Sequence, residues 1–73
     1  MNLGELLKKE KVSHEFVAKK LCEKGCFKYR QQVTSWVTGV RLPDAESIYW
    51  LSKILKVSSD VVLEAALKSA GRL

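Results

Sequence analysis

Apolar side chains in this sequence recur at three- and four-residue spacing in five separate stretches, each opened by a residue suited to start a helix. Asn2 with Glu5 three positions on has the form of a capping box, and Leu3, Leu6 and Leu7 then fall on one side of a first helix whose polar side carries Lys8, Lys9 and Lys11. Ser13 predicts the cap of a second helix, with Glu15 in its first turn and Val12 placed to staple onto Val17. Val17, Ala18, Leu21 and Cys22 form its inner face, and Gly25 stops it. The third helix is predicted over Lys28 to Thr38, because Tyr29, Val33, Trp36 and Val37 make one stripe and Gly39 suits a left-handed close. Projection at the ideal helical step leaves Lys28, Gln31, Ser35 and Thr38 opposite that stripe, with Gln32 and Thr34 on its flanks. Pro43 suits the first position of a fourth helix that turns Ile48, Leu51 and Leu55 inward, and Asp44 and Glu46 complement its dipole. Ser58 or Ser59 caps a fifth, with Leu63, Ala66, Leu67 and Ala70 as its stripe. The expected class is all-α, five helices in a single domain over residues 1–73.

Charge sharpens this picture. The net charge is +5, and between Lys8 and Arg41 nine Lys or Arg face three acids, whereas Leu42 to Leu73 holds four of each sign. A one-sided basic surface on a small domain concentrates polyanions around it, nucleic acid foremost. Charge alone is equally consistent with a solvated lysine-rich face. No apolar run approaches the length of a bilayer span, and Met1 to Lys11 has neither a continuous apolar segment nor a cleavage site, so a cytoplasmic location without membrane contact is expected.

Cys22 and Cys26 are the only cysteines and His14 the only histidine. A C-x3-C pair with one distant His supplies three zinc ligands where a structural site needs four, so free thiols are expected, with no metal and no cofactor. One histidine, no paired carboxylates at the spacing of a shared site, no Gly-rich phosphate loop and no Cys/His dyad leave no constellation for catalysis or for a small-molecule substrate.

The order of these signals resembles the Cro/CI-type helix-turn-helix regulators. Ser-His-Glu-Phe-Val-Ala-Lys-Lys-Leu, Ser13 to Leu21, is similar to their second helix. Trp36-Val37-Thr38-Gly39-Val40-Arg41-Leu42-Pro43 is similar to the stretch that closes their recognition helix and opens the next one. Resemblance runs from about Leu3 to Leu67, and its W-x-x-G-x-R-x-P portion is the more specific. It implies a five-helix fold whose third helix enters the major groove, with Lys28, Gln31, Gln32 and Ser35 as candidates for base contact. His14, Lys19, Arg30 and Arg41 are the candidates for phosphate contact. Each has a plainer alternative: the glutamines as solvated helix residues, Lys19 and Lys20 as surface charges. Trp36 and Ala18 are read as packing residues.

The sequence departs from that family in one place. The stretch from Ala18 to Trp36 is longer by roughly five residues, which either extends the second helix or enlarges the turn around Glu23 to Lys28. Trp50, Val61, Val62 and Ala65 exceed what single stripes need and are candidates for a protein interface, such as a two-fold homodimer, unless the core wraps around them. Two functions are therefore weighed. The first is a sequence-specific duplex-DNA-binding repressor or switch protein of bacterial or phage type, associated with the nucleoid. The second is a phage-encoded regulator that uses the same fold to bind host bacterial RNA polymerase and inhibit or redirect transcription.

Overall fold

The computed structural model describes residues 1–73 as five α-helices and no strand: α1 Leu3–Lys9, α2 His14–Glu23, α3 Arg30–Thr38, α4 Ala45–Leu55 and α5 Ser59–Ser69. Side-chain oxygens cap four of them, with Asn2, Ser13, Asp44 and Ser58 each accepting a backbone N–H from the first turn, and Glu5 completes a capping box with Asn2. Pro43 therefore does not occupy the first position of α4. Asp44 takes the cap and Pro43 sits before it, buried, where its ring fixes the direction of entry.

One core joins all five helices, built on Leu3, Leu6, Leu7, Val17, Leu21, Val33, Trp36, Leu51, Leu55 and Val62. With only seven residues α1 would not persist alone. Its three buried leucines contribute roughly 2 kcal/mol apiece, and its first N–H donates to Ser69 Oγ at 2.9 Å, tying its start to the end of α5.

α5 is rotated from the sequence expectation. Leu63 is 42% exposed, whereas Val62, Ala65 and Ala66 are buried, so two of the four candidate interface residues, Val62 and Ala65, are core. The sets 62, 65, 66, 69 and 63, 66, 67, 70 have the same helical spacing, and periodicity cannot separate them. The packing in the fold does. α5 lies on α1, α3 and α4 with Val62, Ala65 and Ala66 inside, and the backbone at Gly39 comes so near the end of α5 that a β-carbon there would clash with the Ser69 carbonyl oxygen.

α3 also begins later than predicted. Tyr29 is its extended N-cap, 65% exposed rather than on the inner stripe, and Lys28 belongs to the preceding turn. α2 ends at Glu23, so of the two expectations for this stretch the longer turn, over 24–29, is the one found, and α2 has ten residues. Gly25, in the left-handed conformation at φ 81°, closes α2. The N–H of Cys26 then donates back to the Leu21 carbonyl at 2.9 Å, which buries Cys26 against the core.

Gly39 combines a left-handed φ of 83° with that backbone approach, whereas Gly25 faces open space. Gly39→Ala should lower unfolding stability by about 3 kcal/mol and Gly25→Ala by about 1 kcal/mol, measured by urea denaturation. Equal losses would contradict the packing described for α3 and α5.

Candidate nucleic-acid interface

Two helices and the connections at both ends of α3 build the site. Val33 and Trp36, 1% and 4% exposed, hold the inner side of α3 in the core, and its opposite side is left to solvent. There, Gln31, Gln32 and Ser35 line a concavity of about 410 Å³ together with Lys28 from the turn before α3 and Arg41 and Asp44 from the loop after it. Trp36 and Leu42 complete its lining. The four base-contact candidates are thus brought together, and Arg41 joins them.

Their side chains are not equally free. Gln32 Oε1 accepts the Tyr29 N–H at 2.8 Å, so this side chain serves the start of α3. Ser35 Oγ donates to the Gln32 carbonyl at 2.6 Å and keeps its lone pairs available. The Gln31 side chain is exposed and makes no hydrogen bond within the chain, and the same holds for the Arg41 side chain, whose backbone N–H alone donates, to the Ser35 carbonyl. Lys28 forms a partly solvated ion pair with Asp44, Nζ to Oδ2 at 3.0 Å, which offsets much of its charge.

The pair shapes both groups. Asp44 is held down to about 2, first by hydrogen bonds from the Ser47 hydroxyl and backbone N–H, then by Lys28. Lys28 is pushed up, chiefly by its hydrogen bond to Asp44 and by the attraction of that carboxylate. The turn is fastened to α4 by this pair and by Cys26 Sγ against the buried Ser47 Oγ at 3.6 Å.

The phosphate candidates are dispersed. His14, first residue of α2, is half-buried, and its Nδ1 is hydrogen-bonded to Thr34 Oγ1 on α3 at 2.9 Å. It braces the two helices and leaves Nε2 as its remaining polar atom. Lys19 is exposed on α2, and Arg30 opens α3 and lines a smaller depression with Gln31 and Thr34. Arg41 lies at the far end of the concavity.

Of the interface candidates, Val61 is 44% exposed and Trp50 is half-buried. Trp50 meets Tyr49 edge-on with centroids 4.9 Å apart, and Lys24 of the turn sits over its ring at 5.6 Å. Asp44 was legible in the sequence as an N-terminal acid, but its pairing with Lys28 was not, because nothing local links a turn before α3 to the start of α4. No three His, Cys, Asp or Glu side chains converge at metal-binding distances; Cys26 is a buried free thiol and Cys22 a half-buried one. No helix is long and apolar enough to cross a membrane. Comparison with protein-family models, curated proteins and solved structures finds no match for this chain.

The sign of the Asp44 effect is fixed by its depressed value. Its contribution is present above the ordinary carboxylate range and is lost as pH falls from about 4 toward 2. Asp44→Ala should therefore cost about 1 kcal/mol at neutral pH, through the lost cap and a partly solvated ion pair. The gap between variant and parent should close on acidification, and a gap unchanged at low pH would contradict the assignment.

Proposed function

We propose that this chain is a sequence-specific duplex-DNA-binding transcription regulator of the Cro/CI-like helix-turn-helix type, acting as a repressor or switch protein. The observation that carries this reading is the outer side of α3, where Gln31, Ser35 and Arg41 line one concavity while Val33 and Trp36 fix the helix from behind. A major groove admits one helix and is read by short polar or bidentate side chains on a rigid support. Gln31 has both the oxygen and the nitrogen of its amide free to meet an adenine edge, and Arg41 and Arg30 are unpaired cations at the two ends of the helix, suited to phosphates. Gln32 and Lys28 are demoted within this reading, since each is engaged inside the fold. The fold of the family is likewise proposed on the five-helix order and the Trp36 to Pro43 stretch.

A second reading is favoured by a separate observation, the exposed apolar side chains of Tyr49, Val61 and Leu63 on α4 and α5. They suit a protein partner, a second copy of the chain or bacterial RNA polymerase, whose acidic patches would meet the basic surface. Co-elution with purified polymerase, in the absence of any DNA preference, would favour it.

The DNA reading is tested by fluorescence anisotropy on the tightest duplex selected from a random pool. Gln31→Ala should weaken that duplex by about 1–3 kcal/mol while leaving random duplex nearly unchanged. Arg41→Ala should weaken both and lower the slope of log affinity against log salt by about one. Binding by the parent protein that shows no sequence preference would overturn the reading.

A further inference from the structure

The turn between α2 and α3 carries a feature that the fold does not use. Phe27 is 71% exposed and Tyr29 65% exposed, so two aromatic side chains flank Lys28 in the open. A mobile loop would present them loosely, but this one is pinned on every side. Lys28 N–H donates to the Cys26 carbonyl at 2.9 Å, making a three-residue turn with Phe27 at its centre. Cys22 Sγ donates to the Lys28 carbonyl at 3.4 Å, Cys26 is buried, Lys28 is paired with Asp44, and the Tyr29 N–H is taken by Gln32. Phe27 thus projects from a tip whose backbone is already ordered, so engaging a ligand costs little further entropy.

The surroundings of the tip say what it would meet. Lys24, Lys28 and Arg30 all lie within three residues of Phe27; Lys24 rests over the Trp50 ring and Lys28 pairs with Asp44, which leaves Arg30 as the cation of the tip with no ion pair. The tip is continuous with the candidate reading surface, because Lys28 belongs to both and Arg30 adjoins Gln31. In a docked helix of this type the N-terminal residues lie nearest the base edges, which places the residues just before α3 at the mouth of the groove. The apolar feature a major groove offers there is the 5-methyl group of thymine, and Phe is among the side chains that contact it.

We propose that Phe27, supported by Tyr29, is a second reading element that recognises thymine methyl groups beside the stretch read by α3. This rests on the DNA-binding reading above. It gives the enlarged turn a purpose: the added residues carry an apolar probe to a position that α3 alone does not reach.

The test uses the selected duplex with each thymine replaced in turn by deoxyuridine, which removes one methyl group and leaves the hydrogen-bonding edge intact. For the unaltered protein, replacement at one or two positions should weaken binding by about fourfold, the factor that corresponds to burying one methyl-sized group. Phe27→Ala should weaken binding to the all-thymine duplex on the order of tenfold and should no longer distinguish thymine from deoxyuridine at those positions. Because Phe27 is exposed, the variant should melt at the temperature of the parent. A Phe27→Ala protein that binds as the parent does, or that keeps the thymine preference, overturns the proposal and leaves the DNA reading intact. A parent protein that selects no duplex overturns both.

Discussion

The burial of Val33 and Trp36 beneath α3 is the constraint on which the rest of the molecule depends. A nine-residue helix has too few hydrogen bonds to persist in water, so α3 exists because its inner side is captured by the other helices. Capture also fixes rotation. Once these two side chains are inside, Gln31, Ser35 and Arg41 are committed to one surface, and that surface keeps its shape without a ligand. Each end of α3 is secured by a different device. At its far end, Gly39 lets the backbone reach the end of α5; at its near end, Cys26 and Lys28 bolt the turn to the start of α4. A change at any of these points would disturb the seating of the helix, and of them only Lys28 also lines the concavity with the candidate contacts.

Charge is arranged around this frame by subtraction. The basic middle of the chain supplies more cations than the surface presents as free charge. Lys28 is matched by Asp44, Lys20 stands 3.5 Å from Glu23, and Lys24 rests over the Trp50 ring. What remains unpaired close to α3 is Arg30 and Arg41, one at each end. Two guanidinium groups bracketing an uncharged polar stretch form a pattern suited to a helix held between phosphates on either side of a groove.

Much of the fold was legible because local chemistry decides it. The caps at Asn2 and Ser13, the closing glycines at 25 and 39, and the leucine stripe of α1 are all settled within a turn or two of the chain. What escaped was set by distant partners. The α5 stripe could not be phased from its own spacing, since two registers fit and only the packing against α1, α3 and α4 separates them. The start of α3 shifted because Tyr29 adopts an extended backbone and takes the cap, which removes Lys28 from the helix, and Pro43 yielded its expected place to a better capping residue in Asp44. In the candidate site, the grouping of Gln31, Gln32 and Ser35 was readable from helical projection, whereas Arg41 was expected only as a separate phosphate candidate and its place beside them was not. The engagement of Gln32 and Lys28 was not, because it depends on which neighbours the fold delivers.

The central claim is that the outward side of α3 is held ready to meet duplex DNA. The most direct measurement is the amide and side-chain NMR spectrum of labelled protein during titration with a selected duplex. Gln31, Ser35 and Arg41 should shift first and furthest, while Val33, Trp36 and the buried side of α5 stay in place. Shifts confined to Tyr49, Val61 and Leu63, or a general loss of α3 signals as the helix rearranges, would contradict the account.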